Sequence, residues 1–95
     1  MITIEYGNGQ AVDDCLAEEF VRDLIKSEIV CAKDVEACVS TSNVITAARV
    51  LVKTEDIKVQ FKYKEEILIP NKDGRLEYWP DGFCDYEDKW LMELL

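Results

Sequence analysis

Three clusters in this 95-residue chain hold side chains that could do chemistry. Asp13, Asp14, Glu18 and Glu19 set several carboxylates close together. Hard divalent cations need several oxygens at once, so a metal-dependent nuclease or toxin would draw on Asp13, Asp14 or Glu18. Ser40-Thr41-Ser42-Asn43 runs into an apolar stretch, where hydroxyls could serve as a nucleophile or help form a phosphate nest at a helix start. Lys58, Lys62 and Lys64 interleave with Phe61 and Tyr63, a superficial likeness to the basic-aromatic surface of nucleic-acid-binding sheets.

Each cluster also has a plainer explanation. Acids in the first turn of a helix complement its positive end, and no loop follows that would complete a calcium site. Four consecutive capping residues account for Ser40 to Asn43. Strand alternation puts the lysines opposite the aromatics, so stacking and phosphate contacts would fall on different faces. Histidine is absent, which removes the usual neutral-pH base and the commonest nitrogen ligand. Glycine-rich phosphate loops, the dinucleotide fingerprint and H-E-x-x-H are missing as well. The expectation is a chain that is not an enzyme, with no catalytic, cofactor-binding or metal-binding residue assigned.

The tail is different. Asn71-Lys-Asp-Gly-Arg-Leu-Glu-Tyr-Trp-Pro-Asp-Gly-Phe83 gathers turn residues and large aromatics without a nucleophile or base. An indole beside proline is a rigid anchor that loses little entropy on ordering. Tyr78, Trp79, Pro80, Phe83 and Trp90 are therefore the expected partner-binding residues, with closure of the small core as the competing role.

Composition narrows the partner. The net charge is −9 and the pI near 4.4, which argues against a nucleic-acid phosphate backbone and leaves a protein as the expected partner. The acids bracket a mildly basic middle: residues 1–36 carry nine acids and three bases, residues 37–72 four and six, residues 73–95 seven and two. Met1-Ile-Thr-Ile-Glu-Tyr does not read as a signal peptide, and the apolar runs are too short to span a bilayer, so no membrane role and a cytoplasmic location are expected. Cys15, Cys31, Cys38 and Cys84 include no C-x-x-C pair and read as small buried hydrophobes.

These residues must be positioned by one small domain. Met1 to Tyr6 alternates as a strand, and Asn8-Gly9 reads as a turn. Val12, Leu16, Phe20 and Leu24 recur every four residues and predict a helix over 13–27. Val35, Ala37 and Val39 predict a strand. Val44, Ile45, Ala48, Leu51 and Val52 predict a second helix to about Lys53, with its cap among Ser40 to Asn43. Ile57 to Tyr63 is the clearest strand, Ile67 to Ile69 the next, and Pro70 to Gly74 closes a hairpin onto a strand from Arg75 to Tyr78. A final helix over 85–95 would place Tyr86, Trp90, Leu91 and Leu94 on one side. The fold class is α+β, with two or three helices against an antiparallel or mixed sheet of four or five short strands.

Asp73-Gly-Arg-Leu-Glu-Tyr-Trp-Pro-Asp-Gly-Phe83-Cys-Asp, followed by an acidic leucine-bearing run, resembles the carboxy-terminal tail of prokaryotic AAA/ABC-type ATPases related to the overcoming-lysogenization-defect and structural-maintenance-of-chromosomes ATPases. Val39-Ser-Thr-Ser-Asn-Val-Ile-Thr-Ala-Ala-Arg49 and Glu55-Asp-Ile-Lys-Val-Gln-Phe61 are similar to the segment where a strand enters a Thr-His-Ser turn. The likeness covers residues 35–95. Thr41-Ser42-Asn43 offers no counterpart of the switch histidine, and the Walker A loop and acidic Walker B strand end are missing. The resemblance implies a free-standing ATPase tail that acts as subunit or regulator of such an ATPase in a defence or mobile-element cluster. Self-association stays open. The rival expectations are an antitoxin or inhibitor covering a basic partner surface and the metal-dependent nuclease named above.

Overall fold

The structure is a computed structural model that describes residues 1–78, 80, 82 and 83. Among these residues it is an α+β fold of two helices on a four-stranded mixed sheet. Strand β1 covers Ile2–Gln10, a 3-10 turn covers Asp14–Leu16, and helix α1 covers Ala17–Cys31. Strand β2 (Val35–Val39), helix α2 (Ser42–Glu55), strand β3 (Val59–Tyr63) and strand β4 (Glu66–Leu68) follow. The sheet order is β2-β1-β3-β4; β1 runs parallel to both β2 and β3, and β4 is antiparallel to β3.

Period-2 alternation gives the sheet two unlike faces. Ile2, Ile4, Val39, Val59, Phe61 and Leu68 point into one core with Val21 of α1 and with Val44, Ile45, Ala48, Leu51 and Val52 of α2. Glu5, Glu36, Cys38, Gln60 and Lys62 lie on the other face, which neither helix covers. The two helices pack side by side, and Arg22 of α1 donates to both Glu18 and Glu55 of α2's end. The connections β1-α1-β2 and β2-α2-β3 run to opposite sides of the central strand while their helices share one face, so the two crossovers have opposite hand, and one departs from the usual right-handed rule. Both strand-to-helix loops are thereby brought together at the carboxyl ends of β1 and β2.

Several elements differ from the sequence expectation. Asn8-Gly9 does not turn the chain; β1 continues to Gln10, with a register irregularity between Tyr6 and Gln10 opposite Val39. Gly9 is needed there, because a Cβ would run into the backbone of Cys38. The first helix begins later than position 13 and absorbs residues 28–31, ending on Ala32 in the left-handed conformation. Residues 75–78 form no strand, because Asn71 folds the segment into a local turn: its Oδ1 accepts from the amides of Asp73 and Arg75, and its own amide donates to the Arg75 carbonyl. The expected final helix over 85–95 lies outside the described residues.

The cysteine expectation is corrected too. Cys15, Cys31 and Cys38 are all exposed and unpaired, because they sit on the 3-10 turn, at the end of α1 and on the uncovered sheet face. Among the described residues no helix is long and apolar enough to cross a membrane.

Candidate functional site

The carboxyl ends of the parallel strands carry two adjoining features that share Tyr6. The first is an open cleft of about 450 Å³ lined by Tyr6, Val12, Asp13, Asp14 and Ser40 to Asn43. Its walls are tied together by side chains that the sequence assigns to capping. Thr41 sits at the N-cap of α2 but makes no side-chain cap bond; its Oγ1 accepts from the Val12 amide at 3.2 Å. Asn43 Nδ2 donates to the Val12 carbonyl at 2.6 Å and to Asp14 Oδ1 at 2.8 Å. The Ser40 amide donates to the Gln10 carbonyl at 2.9 Å. These bonds spend the Thr41 and Asn43 groups on holding the β1–α1 loop against the start of α2, which leaves α2's first amides without a side-chain cap.

The second feature is an aromatic seat beneath the tail. The Phe83 ring meets Tyr6 edge-on at a centroid distance of 5.5 Å, meets Tyr63 edge-on at 5.5 Å, and lies 6.4 Å from Phe61. Tyr6 and Tyr63 are themselves 6.1 Å apart. Edge-to-face pairs of this kind add to the burial of each ring. Gly82, with φ of 82°, passes over Tyr63 so closely that a Cβ would come within 2.5 Å of its hydroxyl oxygen. The Phe83 amide donates to the Pro80 carbonyl at 3.1 Å and closes the turn.

The other end of the tail is fixed by Arg49, which is only 2% exposed although charged. Its Nε donates to the Gly74 carbonyl at 2.7 Å. Gly74 has φ of 75°, and any Cβ would strike the Arg49 carbonyl. Gly74 is thus required twice over, by its left-handed conformation and by the close approach of its backbone to α2.

The expected partner-binding residues separate accordingly. Tyr78 is 58% exposed, Pro80 is buried, and Phe83 is 4% exposed as part of the core. Trp79 and Trp90 lie outside the described residues. Two contributors were not singled out from sequence: Arg49, whose position on the apolar stripe of the second helix was the available signal, and Tyr6, which had none beyond strand alternation.

The acidic cluster has ordinary employment. Asp14 accepts from Asn43, and Glu18 pairs with Arg22. Among the described residues no group of three or more His, Cys, Asp or Glu side chains is placed to share an ion. On β3, Val59 and Phe61 face the helices while Gln60 and Lys62 lie on the face neither helix covers, which keeps Lys62 apart from Phe61; Lys64, in the left-handed conformation just past the strand, departs from that alternation and brings its Nζ to 5.3 Å from the centroid of the Tyr63 ring. Lys62 reaches Glu5 at 3.6 Å, and Cys38 Sγ lies 3.7 Å from Glu5 Oε1. Loss of solvent and, after it, the neighbouring Glu5 carboxylate push the Cys38 thiol up from its ordinary range, which keeps it protonated.

No family model, curated protein or solved structure matches this chain.

Proposed function

We propose that this domain is a non-catalytic protein-interaction or regulatory subunit whose docking surface centres on the tail turn from Tyr78 to Phe83. The observation that supports this reading is the pairing of an exposed aromatic with a fixed base. Tyr78 is 58% exposed between Gly74, pinned to Arg49, and Phe83, seated among Tyr6, Phe61 and Tyr63. A pre-ordered aromatic on a short turn is the kind of group that carries binding energy at interfaces. Pro80 and Phe83 act as its foundation; Tyr78 is the group offered outward.

The partner in this reading is an AAA/ABC-type ATPase of a prokaryotic defence or mobile-element system, a choice that rests on the likeness of residues 35–95 to the tails of such enzymes. Arg49 and Gly74 belong to two separate stretches of that likeness and meet in the fold. The test is affinity capture with the tagged full chain from its native cells, run beside Tyr78→Ala and Trp79→Ala variants. Recovery of an ATPase by the wild-type chain, lost in the variants while their circular dichroism stays native, is the expected result. Equal recovery by all three chains, or none of an ATPase, rejects the reading.

A further inference from the structure

We propose that the outer edge of β2 accepts an extended segment of a partner protein in which apolar residues alternate with basic ones. Among the described residues β2 ends the sheet, with β1 on one side and no strand on the other. The Val35 amide donates inward to the Met1 carbonyl. Alternation then turns the amide and carbonyl of Glu36 outward, an open template for one more strand.

The side chains along this edge set the chemistry of the occupant. Val35 and Ala37 point to the helix side and are only half-buried, with the partly buried Phe20 of α1 in the same layer. An added strand would cover them with its own apolar residues. Glu36 is exposed on the opposite face, so the residue set across from it would be Lys or Arg. Asp34 precedes the strand and is engaged by the α-amino group, and Lys33 stands before it. The opposite edge fits the role poorly: β4 has three residues and runs between the Lys64-Glu65 turn and Pro70. A second copy of the chain is disfavoured by the net charge of −9 and by the lack of a base to face Glu36 when β2 pairs antiparallel with itself about Ala37.

The experiment uses the isotope-labelled full chain and a peptide in which lysine alternates with valine, with a peptide of the same composition in blocks as control. Amide shifts and slowed hydrogen exchange at Glu36 with the alternating peptide, and much weaker effects with the block peptide, are expected. Glu36→Lys should weaken the lysine peptide about fivefold and favour a peptide carrying glutamate in its place. Tyr78→Ala should leave this binding unchanged, which separates the edge from the tail surface. Equal binding of both peptides would mean charge adsorption alone and overturn the proposal. So would a response mapped away from β2, no response at all, or a Glu36 amide already protected in a self-associated free protein.

Discussion

The Nε of Arg49 and the carbonyl of Gly74 are 2.7 Å apart in a setting where Arg49 is almost wholly shielded from water. This bond fastens an otherwise irregular tail to the face of α2. Gly74 cannot be replaced cheaply, since its φ of 75° and its contact with the Arg49 carbonyl both exclude a Cβ. Gly74→Ala should cost about 2 kcal/mol or more in urea denaturation, combining left-handed strain with displacement of the loop.

Phe83 and Tyr78 are five positions apart and should behave as opposites. Phe83→Ala removes a ring from the centre of an aromatic cluster and should destabilise by about 3 kcal/mol. Tyr78→Ala removes a half-solvated ring and should stay within about 0.5 kcal/mol. Chemical denaturation of both variants distinguishes the foundation of the turn from its exposed group.

Helix α1 ends on Ala32 at φ of 53° and ψ of 37°, a conformation that costs an L-residue energy and glycine little. Ala32→Gly should raise stability by about 1 kcal/mol, read as a higher denaturation midpoint at unchanged slope.

Much of this architecture was legible in the sequence where one periodicity dominated. Ile57 to Tyr63 and Val44 to Val52 repeat cleanly, and β3 and α2 formed there within a few residues of expectation. Misreadings fell where a local signal competed with tertiary contact. Asn8-Gly9 has turn chemistry, yet the glycine serves close approach to Cys38 inside a continuing strand. Thr41 and Asn43 have cap chemistry, yet their side chains hold Val12 and Asp14 from another loop. Residues 75–78 alternate like a strand, but the chain enters them from a turn in which Asn71 binds the amides of Asp73 and Arg75 and Arg49 holds the Gly74 carbonyl. Exposed Cys38 was missed because the sequence does not say that neither α1 nor α2 covers one sheet face, and Cys15 and Cys31 because it does not show the 3-10 turn before α1 or the solvent-facing last turn of that helix. The sequence grouped the tail aromatics together but could not separate buried Phe83 from exposed Tyr78.

Cys38 offers a check on the uncovered face. Its thiol is held protonated by partial loss of solvent and then by Glu5, so removing that carboxylate lowers the thiol's pKa and increases the thiolate present at neutral pH. Glu5→Gln should speed alkylation of Cys38 by less than about tenfold at neutral pH, with the gain shrinking as pH rises and both proteins ionise. Site-resolved mass spectrometry reads this rate.

The most direct measurement is the affinity of the purified domain for the AAA/ABC-type ATPase proposed as its partner, compared between wild type and Tyr78→Ala at matched salt. A rise in Kd of about 30-fold or more with an unchanged melting curve is the expected result, the size typical of a central aromatic at an interface. Unchanged affinity in the variant, with both chains folded, would contradict the assignment of the tail turn as the docking surface.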